Sequence, residues 1–577
     1  MPIPLRATRA RRLVAAMCSC MAVLAACDTP TRPAPTSPTP EVPPKVEAGV
    51  PTTIEAASPL AFEGNAGTNI VQPMMVLVRD QKGQPIHHAV VTWTAGGGQI
   101  PSSSPTTADG ITKVAWRLPT TAGPVTASAT INGLPPVTFT ATVRPAIGLN
   151  ITFTPSAVSV QAGYETTVTA SFSDYYGNPA PTQPVEWISG DTSVTVFQDG
   201  TATVRIAARA PRITTITARA PLNLVGILTV TVTPLRFSTV ATGARAGGGA
   251  WSCGITTTRA ALHCWMNSAP IVVDSVGRFT SVSAEGPACA LEQGGTVRCF
   301  ATPALTSAGA FRQMETGSAH VCAVDAAGAA FCWGDGRWGQ LGDGVTHAGG
   351  TQVNTPRPVT GGRAYTAVSA GGDHGCGVAT GGSLWCWGLD ASGELGRGTG
   401  GTRETCGLGL LPCSRAPVAV ASAESFKAVS AGTNHTCALT AAGTAYCWGS
   451  NSAGQLGSGA VLGSTSNVPV AVAGGYTFSS ISAGEAHTCA VRTDGAPICW
   501  GSNANGALGT GAAPTLAVNT PQLVVGGFPF ASISAGQNTT CGLTTGGIAF
   551  CWGKNDAAQV GDGTRTDRPS PTRAMWQ

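Results

Sequence analysis

Charge is scarce in this chain of 577 residues: Asp, Glu, Lys and Arg make up 11% of it, and the formal net charge is only +4. No block of Lys and Arg lies beyond the first dozen residues, so the electrostatic footprint of a nucleic-acid binder is missing and no such partner is expected. No apolar run after the N-terminal stretch is long enough to span a bilayer as a helix. Three reactive signatures are missing too: Gly-x-Ser-x-Gly, His-Glu-x-x-His and a Gly-Lys-Ser/Thr phosphate loop. The chain is therefore read as a non-enzyme, with no catalytic residue, no metal and no cofactor expected. What abounds is Gly, at 75 residues, with many Thr, Ser and Val, a balance that suits short strands and tight turns rather than long helices. The length calls for several domains.

The N-terminus reads as an export signal. Arg6, Arg9, Arg11 and Arg12 form a basic start, and Leu13 to Cys27 (LVAAMCSCMAVLAAC) is an apolar stretch too short for a comfortable mature span. It ends in Leu24-Ala25-Ala26-Cys27, which resembles the bacterial lipobox. That resemblance implies a signal peptide over residues 1–26, acylation of Cys27 and firm membrane attachment through more than one chain. Residues 27–45 carry Pro at every second or third position and read as a semi-rigid tether. The expected location is exported and membrane-anchored, in the periplasm or at the cell surface.

Residues 46–145 alternate strand-like segments with turn residues. The run IVQPMMVLVRDQKGQPIHHAVVTW has a turn at Asp80-Gln81-Lys82-Gly83 between two strands, the second ending at Trp93. Residues 146–235 repeat the theme, with Asp174 to Pro179 in the place of that turn and Trp187 in the place of Trp93. Both stretches resemble the bacterial Ig-like domains of adhesin stalks, which implies two small β-sandwiches acting as spacers. His87 and His88, if on a strand, would point to opposite faces and make a poor metal pair.

From residue 236 the chain repeats itself. The unit is clearest in VSAGTNHTCALTAAGTAYCWGSNSAGQLGSG, 429–459, and recurs as ISAGEAHTCAVRTDGAPICWGSNANGALGTG, 481–511. Seven copies are found, the weakest being ARAGGGAWSCGITTTRAALHCWMNS, and the longer ones recur at a spacing of ~50 residues. The combination of Ser-Ala-Gly, His-Thr, a hairpin, Trp-Gly-x-Asn and Gly-Gln-Leu-Gly-x-Gly closely resembles the regulator-of-chromosome-condensation repeat. That resemblance implies a seven-bladed β-propeller over 236–577, each blade a four-stranded sheet that buries its faces on its neighbours. The fold class is all-β: two Ig-like β-sandwiches, then a seven-bladed propeller with disulfides inside its blades.

The cysteines depart from the usual unit. Fourteen form seven pairs: Cys253 with Cys264, Cys289 with Cys299, Cys322 with Cys332, Cys376 with Cys386, Cys437 with Cys447, Cys489 with Cys499, and Cys541 with Cys551. Cys406 and Cys413 make an eighth pair inside an insertion. Placing Cys437 opposite Cys447 leaves a three-residue loop, Ala441-Ala442-Gly443, whose last position favours Gly in a left-handed conformation. Gly295, Gly328, Gly382, Gly443, Gly495 and Gly547 fill that slot, while the Cys253 hairpin has one more residue and no Gly. The pairs fall on non-hydrogen-bonded sites, where strands approach closely enough for a disulfide. Such a framework belongs to an exported protein. The last segment, DRPSPTRAMWQ, looks like the lead-in that blade one lacks, so residues 569–576 are expected to pair with blade one and clasp the ring.

Most repeated polar residues are read as architecture. His320, His374, His435 and His487 share one slot on separate blades, too far apart for one metal, and nine residues between paired cysteines is not a zinc spacing. Trp265, Trp333, Trp387, Trp448, Trp500 and Trp552 are read as blade-to-blade packing, and Asp335, Asp343 and Asp562 as scattered turn acids, a calcium site there being the lesser reading. Function is sought where the repeat is interrupted: GTGGTRETCGLGLLPCSRAP, 398–417, a loop stapled by Cys406 and Cys413. Its Arg403, Leu408, Leu410, Leu411 and Arg415 are the candidate partner-binding residues, with the looser segment 344–358 second. The expected role is non-catalytic binding or adhesion toward an extracellular protein or glycan. Guanine-nucleotide exchange, the family's intracellular role, is opposed by the export signal; a lyase or hydrolase propeller would show carboxylates clustered on one rim.

Overall fold

The computed structural model describes residues 49–146, 149–198, 200–245, 249–265, 271–275, 278–300, 305–347, 352–400, 403–407, 410–511 and 517–574. The export signal, Cys27 and the tether to residue 45 lie outside them. Regular structure among the described residues is strand, apart from a 3-10 turn at Ala504–Gly506. The chain divides into two compact units, one built from most of the residues up to Thr142 and the other from Asn65–Thr68, Pro119–Gly123 and the chain from Val143 onward.

In the first unit a three-stranded sheet (Pro51–Ala56, Met74–Asp80, Ile111–Val114) accompanies a five-stranded one. Alternation puts Met74, Val76 and Val78 inward from the first sheet, and Val91, Trp93 and Phe139 from the second. The turn after Asp80 forms as its residues dictate: the Asp80 carboxylate accepts from the backbone N–H of Lys82 (2.8 Å) and Gln84 (2.9 Å), and Gly83 takes φ +75°. His87 and His88 sit in a turn rather than on a strand, with exposed rings 3.7 Å apart. The opposite-face argument for them therefore does not apply.

The second unit opens with two four-stranded sheets, one running from Val158–Gln161 to Glu186–Ser189 and the other from Val194–Phe197 to Leu149–Thr154. Trp187 is buried between them, beside Val204, Ile206, Ile216 and Leu228. The boundary expected at 235 falls within this unit. Leu235, Phe237 and Val240 continue the same core into Trp265 and Val560 of the repeat region. The Tyr164 hydroxyl reaches the His263 Nε2 at 3.2 Å across that boundary.

Seven sheets follow, and their first strands contribute residues to one common cavity, which places them as blades around an axis. Blade five shows the pattern: Phe426–Ala431, His435–Thr440, Ala445–Asn451 and Ser464–Ala471, paired in that order. Blade two has three strands plus a bridge between Val297 and Ser307.

The second and third strands of each blade bring its two cysteines into register. Cys253 lies opposite Cys264, Cys289 opposite Cys299, Cys322 opposite Cys332 and Cys376 opposite Cys386. In the last three blades Cys437 faces Cys447, Cys489 faces Cys499 and Cys541 faces Cys551. All seven pairs are bonded, with Cα atoms between 4.0 Å (Cys253 to Cys264) and 4.2 Å (Cys322 to Cys332) apart. That spacing is tighter than most disulfides show, because the closely approaching site of an antiparallel pair sets it. The six slot glycines all take φ between +78° (Gly547) and +90° (Gly328). In the longer hairpin between Cys253 and Cys264, Ala260 takes the left-handed conformation instead, at φ +51°.

Successive blades are joined at one turn. The Glu394 carbonyl of blade four accepts from the Trp448 indole Nε1 (2.8 Å) and the Thr436 hydroxyl (3.0 Å), both of blade five. The Gln455 carbonyl does the same for Trp500 and Thr488, and the Ala507 carbonyl for Trp552 and Thr540. Each of these Thr hydroxyls also meets the histidine of the preceding blade, at 2.8 Å for His374 and 2.9 Å for His435 and His487. His320 has no such partner because blade four carries Gly375 in the Thr position. The Asn of Trp-Gly-x-Asn holds the turn from within: Asn451 Oδ1 accepts the Leu456 N–H at 3.2 Å.

Sequence reasoning expects the C-terminal segment to complete blade one; the structure corrects this. Arg568–Arg573 pairs with Ala549–Gly553 of blade seven, and blade one has its own fourth strand, Ile271–Asp274. After each Gly-x-Leu-Gly turn the chain doubles back onto the Trp-Gly strand before it. The lead-in of one repeat is thus the outer strand of the blade just finished. The ring closes by a reduced form of this joint: the Ser252 hydroxyl donates to the Gln559 carbonyl (2.9 Å) without the indole, the Phe237 N–H donates to the Gly547 carbonyl (2.7 Å), and Gly561 lies against Trp265.

Gly396 combines φ +63° with a position where an added methyl would sit 2.6 Å from the Trp448 Nε1, whereas Gly463 has φ +85° and open space. Both alanine substitutions carry the left-handed backbone cost of ~1–2 kcal/mol, but only Gly396→Ala also strains the joint. Urea denaturation should show Gly396→Ala to be more destabilising than Gly463→Ala by at least ~1 kcal/mol; equal losses would deny the close approach.

A candidate recognition rim on blades three to five

In every complete blade the link between third and fourth strands emerges at the same end, because those strands are antiparallel neighbours in each sheet. A glycine in this link donates its N–H to the next blade: Gly344 to the Arg415 carbonyl (3.0 Å), Gly398 to Asn467 (2.8 Å), Gly459 to Asn519 (2.9 Å) and Gly511 to Pro569 (2.9 Å). The links therefore form a continuous rim rather than separate loops.

The insertion at 398–417 is part of that rim. Glu404–Cys406 pairs with Leu411–Cys413 and adds a fifth strand to blade four, with Cys406 and Cys413 buried and their Cα atoms 5.8 Å apart. Gly407 lies directly against the Trp338 ring of blade three. Arg415 is engaged in bracing: its Nε donates to the Thr346 hydroxyl, its Nη2 to the Thr405 carbonyl (3.2 Å), and its guanidinium lies 3.8 Å from Glu404. Arg403 is exposed, and Leu408 lies outside the described residues.

What the rim presents is apolar. Leu410 is 70% exposed and Leu411 39%, at the tip of the insertion. Val345 of blade three (52%) and Val461 of blade five (79%), with Leu462, occupy the corresponding links. Exposed aliphatic side chains on neighbouring links of a braced rim suit a contact surface. Sequence reasoning singled out 398–417 and 344–358 but missed Val461 and Leu462. Their signal was present as an apolar pair just after Gly-x-Gly, in the same slot of the repeat.

The remaining candidates are engaged in turns and joints. Asp562 holds Arg568 (2.5 Å) and the Thr564 N–H (2.9 Å), Asp343 meets His347 (3.0 Å), and Asp335 pairs with Arg337 (2.7 Å). Among the described residues no three His, Cys, Asp or Glu side chains converge to hold a metal. Trp265, Trp333, Trp387, Trp448, Trp500 and Trp552 are all buried. Burial also drives the slot histidines far below their ordinary value, His374 and His435 to about 3, His320 and His487 to about 4.

Two family models, both described as the regulator of chromosome condensation (RCC1) repeat, match this region. One covers residues 365–394, 426–455, 478–507 and 530–559, and the other 327–378, 381–439, 442–491 and 494–543. The chain carries RCC1 repeats. Blades one and two lie before the matched stretches, yet they fold into sheets of the same kind. The chain is 31% identical over 255 residues to the mitochondrial RCC1 domain-containing protein RUG3 of Arabidopsis thaliana, covering 43% of this chain and 55% of that protein. It is 29% identical over 265 residues to the Arabidopsis ultraviolet-B receptor UVR8, covering 45% and 57%. The chain thus spans little more than half the length of these relatives. Yeast RCC1 (Prp20), solved bound to Kap60, shares 19% identity over 59% of this chain and 85% of its own, with a TM-score of 0.46. All seven sheets hold a cysteine pair at disulfide distance, which fits an oxidising compartment. Among the described residues no helix is long and apolar enough to cross a membrane.

A histidine kept neutral in the fold but free to charge in the unfolded chain favours unfolding once the pH drops below 6.5, and does so increasingly until its folded value near 3 is reached. Relative to His435→Gln, the wild type should lose stability as the pH falls below 6.5, at up to ~1.4 kcal/mol per pH unit. Denaturation of both proteins across that range checks this; a difference that stays flat contradicts it.

Proposed function

We propose that this chain is an exported, lipid-anchored, non-catalytic binding protein that presents its RCC1 propeller to a protein partner through the rim of blades three to five. The observation that carries this reading is the row of exposed aliphatic side chains, Val345, Leu410, Leu411, Val461 and Leu462, on links braced by backbone bonds and one disulfide. Bracing matters because a pre-ordered loop loses little entropy on binding. Aliphatic tips suit burial against protein; a glycan partner would be better served by exposed aromatic faces. The Pro-rich tether and the two Ig-like modules hold the propeller away from the membrane, and Cys27 carries the anchor.

Cross-linking on intact cells tests the rim. A partner captured by the wild type should be lost when Leu410→Asp and Leu411→Asp are combined and when Val461→Asp is made alone. It should be retained with Leu222→Asp, an exposed site in the second sandwich. Equal capture by all four proteins would remove the rim from the account, and capture of a glycan alone would favour the other partner class. Cys27→Ser should release the protein from the membrane fraction; unchanged fractionation would exclude the lipid anchor.

A further inference from the structure

The repeat is also broken inside the central channel. Four blades carry Ser-Ala-Gly on the first strand, led by Ser369, Ser430, Ser482 and Ser534. Blade two reads Ser283-Ala284-Glu285 and blade three Glu315-Thr316-Gly317, so a carboxylate replaces the Gly in one blade and the Ser in the next. Both glutamates line a cavity of about 260 Å³ where the seven first strands converge. The rest of its polar lining includes hydroxyls, and among the described residues no Lys, Arg or His lines it.

The serines of this ring tie blade to blade. Ser369 Oγ accepts the Ala431 N–H (3.0 Å), Ser430 that of Ala483 (2.9 Å), Ser482 that of Ala535 (2.9 Å), and Ser534 that of Thr242 (3.1 Å). Each keeps a lone pair and a proton for a ligand. The glutamates add a demand the ring does not meet. Glu315 Oε2 accepts from the Ser283 hydroxyl at 2.8 Å, but Glu285 Oε1 is sealed from bulk solvent without any hydrogen-bond partner. Burial, reinforced by the neighbouring Glu315, pushes the Glu285 carboxyl well above its usual range, and burial alone raises Glu315 to about 7. A sealed carboxyl oxygen without a partner works against the fold. Four other blades avoid it with Ser and Gly at these positions.

We propose that the propeller channel is a binding site for a small organic cation, whose primary ammonium sits between Glu285 and Glu315 and donates to them and to the surrounding serine hydroxyls. The missing element in the channel is positive charge with several donors, which an ammonium supplies. A hard divalent metal is the weaker fit: such ions seek six or more oxygen ligands, and no third metal-binding side chain joins this pair among the described residues. The site is separate from the rim and does not depend on the partner reading.

Titration calorimetry of the full chain with putrescine at constant ionic strength tests it, with calcium chloride as a parallel arm. Saturable binding of putrescine is expected, weakened at least tenfold by Glu285→Gln and by Glu315→Gln and unchanged by Glu424→Gln. The two channel variants keep side-chain shape and remove a partly buried carboxyl group, so they should melt no lower than the wild type. The wild type alone gives a second readout: ionising the pair releases protons, so the binding heat near pH 6.5 should differ between buffers of different ionisation enthalpy. Absence of saturable binding, equal binding by the Gln variants, no proton release, or saturation by calcium but not putrescine would each overturn the proposal.

Discussion

One backbone carbonyl in each of blades four to six carries much of the joint to the next blade. In the Gly-x-Leu-Gly turns of blades four to six the carbonyl of the second residue faces the next blade and accepts two donors from it, an indole N–H and a hydroxyl, as Glu394 does from Trp448 and Thr436. The rest of the unit serves this contact. Gly396 is needed so that the turn can lie against the indole, and the Asn of Trp-Gly-x-Asn fixes the turn's shape in blades five to seven. The slot histidine orients the hydroxyl from the blade behind. A sheet that satisfies its neighbour in this way buries both faces without needing charge, which is why a chain with 11% charged residues can build a ring this large. The disulfides act on another scale. Each closes a short hairpin and contributes ~2–3 kcal/mol, stiffening the strands that present the Thr and the Trp.

Exceptions to the repeat are informative because every other position obeys one rule. Some are absorbed locally. Glu394 stands where three blades have Gln, and burial first of all raises its carboxyl to about 7; its Oε2 accepts the Ser392 N–H as the Gln oxygens accept theirs. Asp390 stands where three blades have Asn and is matched by the nearby Arg397 at 2.9 Å. Glu285 and Glu315 lie together on the channel wall, where no cation among the described lining residues answers them as Arg397 answers Asp390, and the aliphatic tips of the rim are likewise left exposed. These two places, one on the axis and one at the edge, are where the ring spends stability on something other than itself.

Much of the propeller was legible in the sequence because its rules are local. Hairpin length, the glycine at the end of the loop and the opposition of cysteines follow from short-range geometry, and six glycines adopt the conformation their slot demands. Even the hairpin that lacks this Gly keeps Cys253 opposite Cys264, since Ala260 accepts the left-handed turn. Strand order across a blade is not local. The Pro- and Val-containing lead-in carries the same alternation whichever neighbour it joins, so the C-terminal strand was assigned to the wrong blade. The role of the turn carbonyl was invisible for a similar reason: a backbone acceptor leaves no residue type behind. Val461 and Leu462 were overlooked because their blade carries no insertion to draw the eye. The channel acids were overlooked because each is a single exception within its own repeat, and only the ring brings them together.

Everything in the joint between blades four and five rests on two donors, the Trp448 indole and the Thr436 hydroxyl, sharing the Glu394 carbonyl. A double-mutant cycle on Trp448→Phe and Thr436→Val, followed by chemical denaturation, tests it most directly. Each single change leaves the Glu394 carbonyl one partner and should cost ~1 kcal/mol, whereas the double change orphans a buried carbonyl and should exceed the sum by a further ~1 kcal/mol or more. Strict additivity of the two losses would contradict the account.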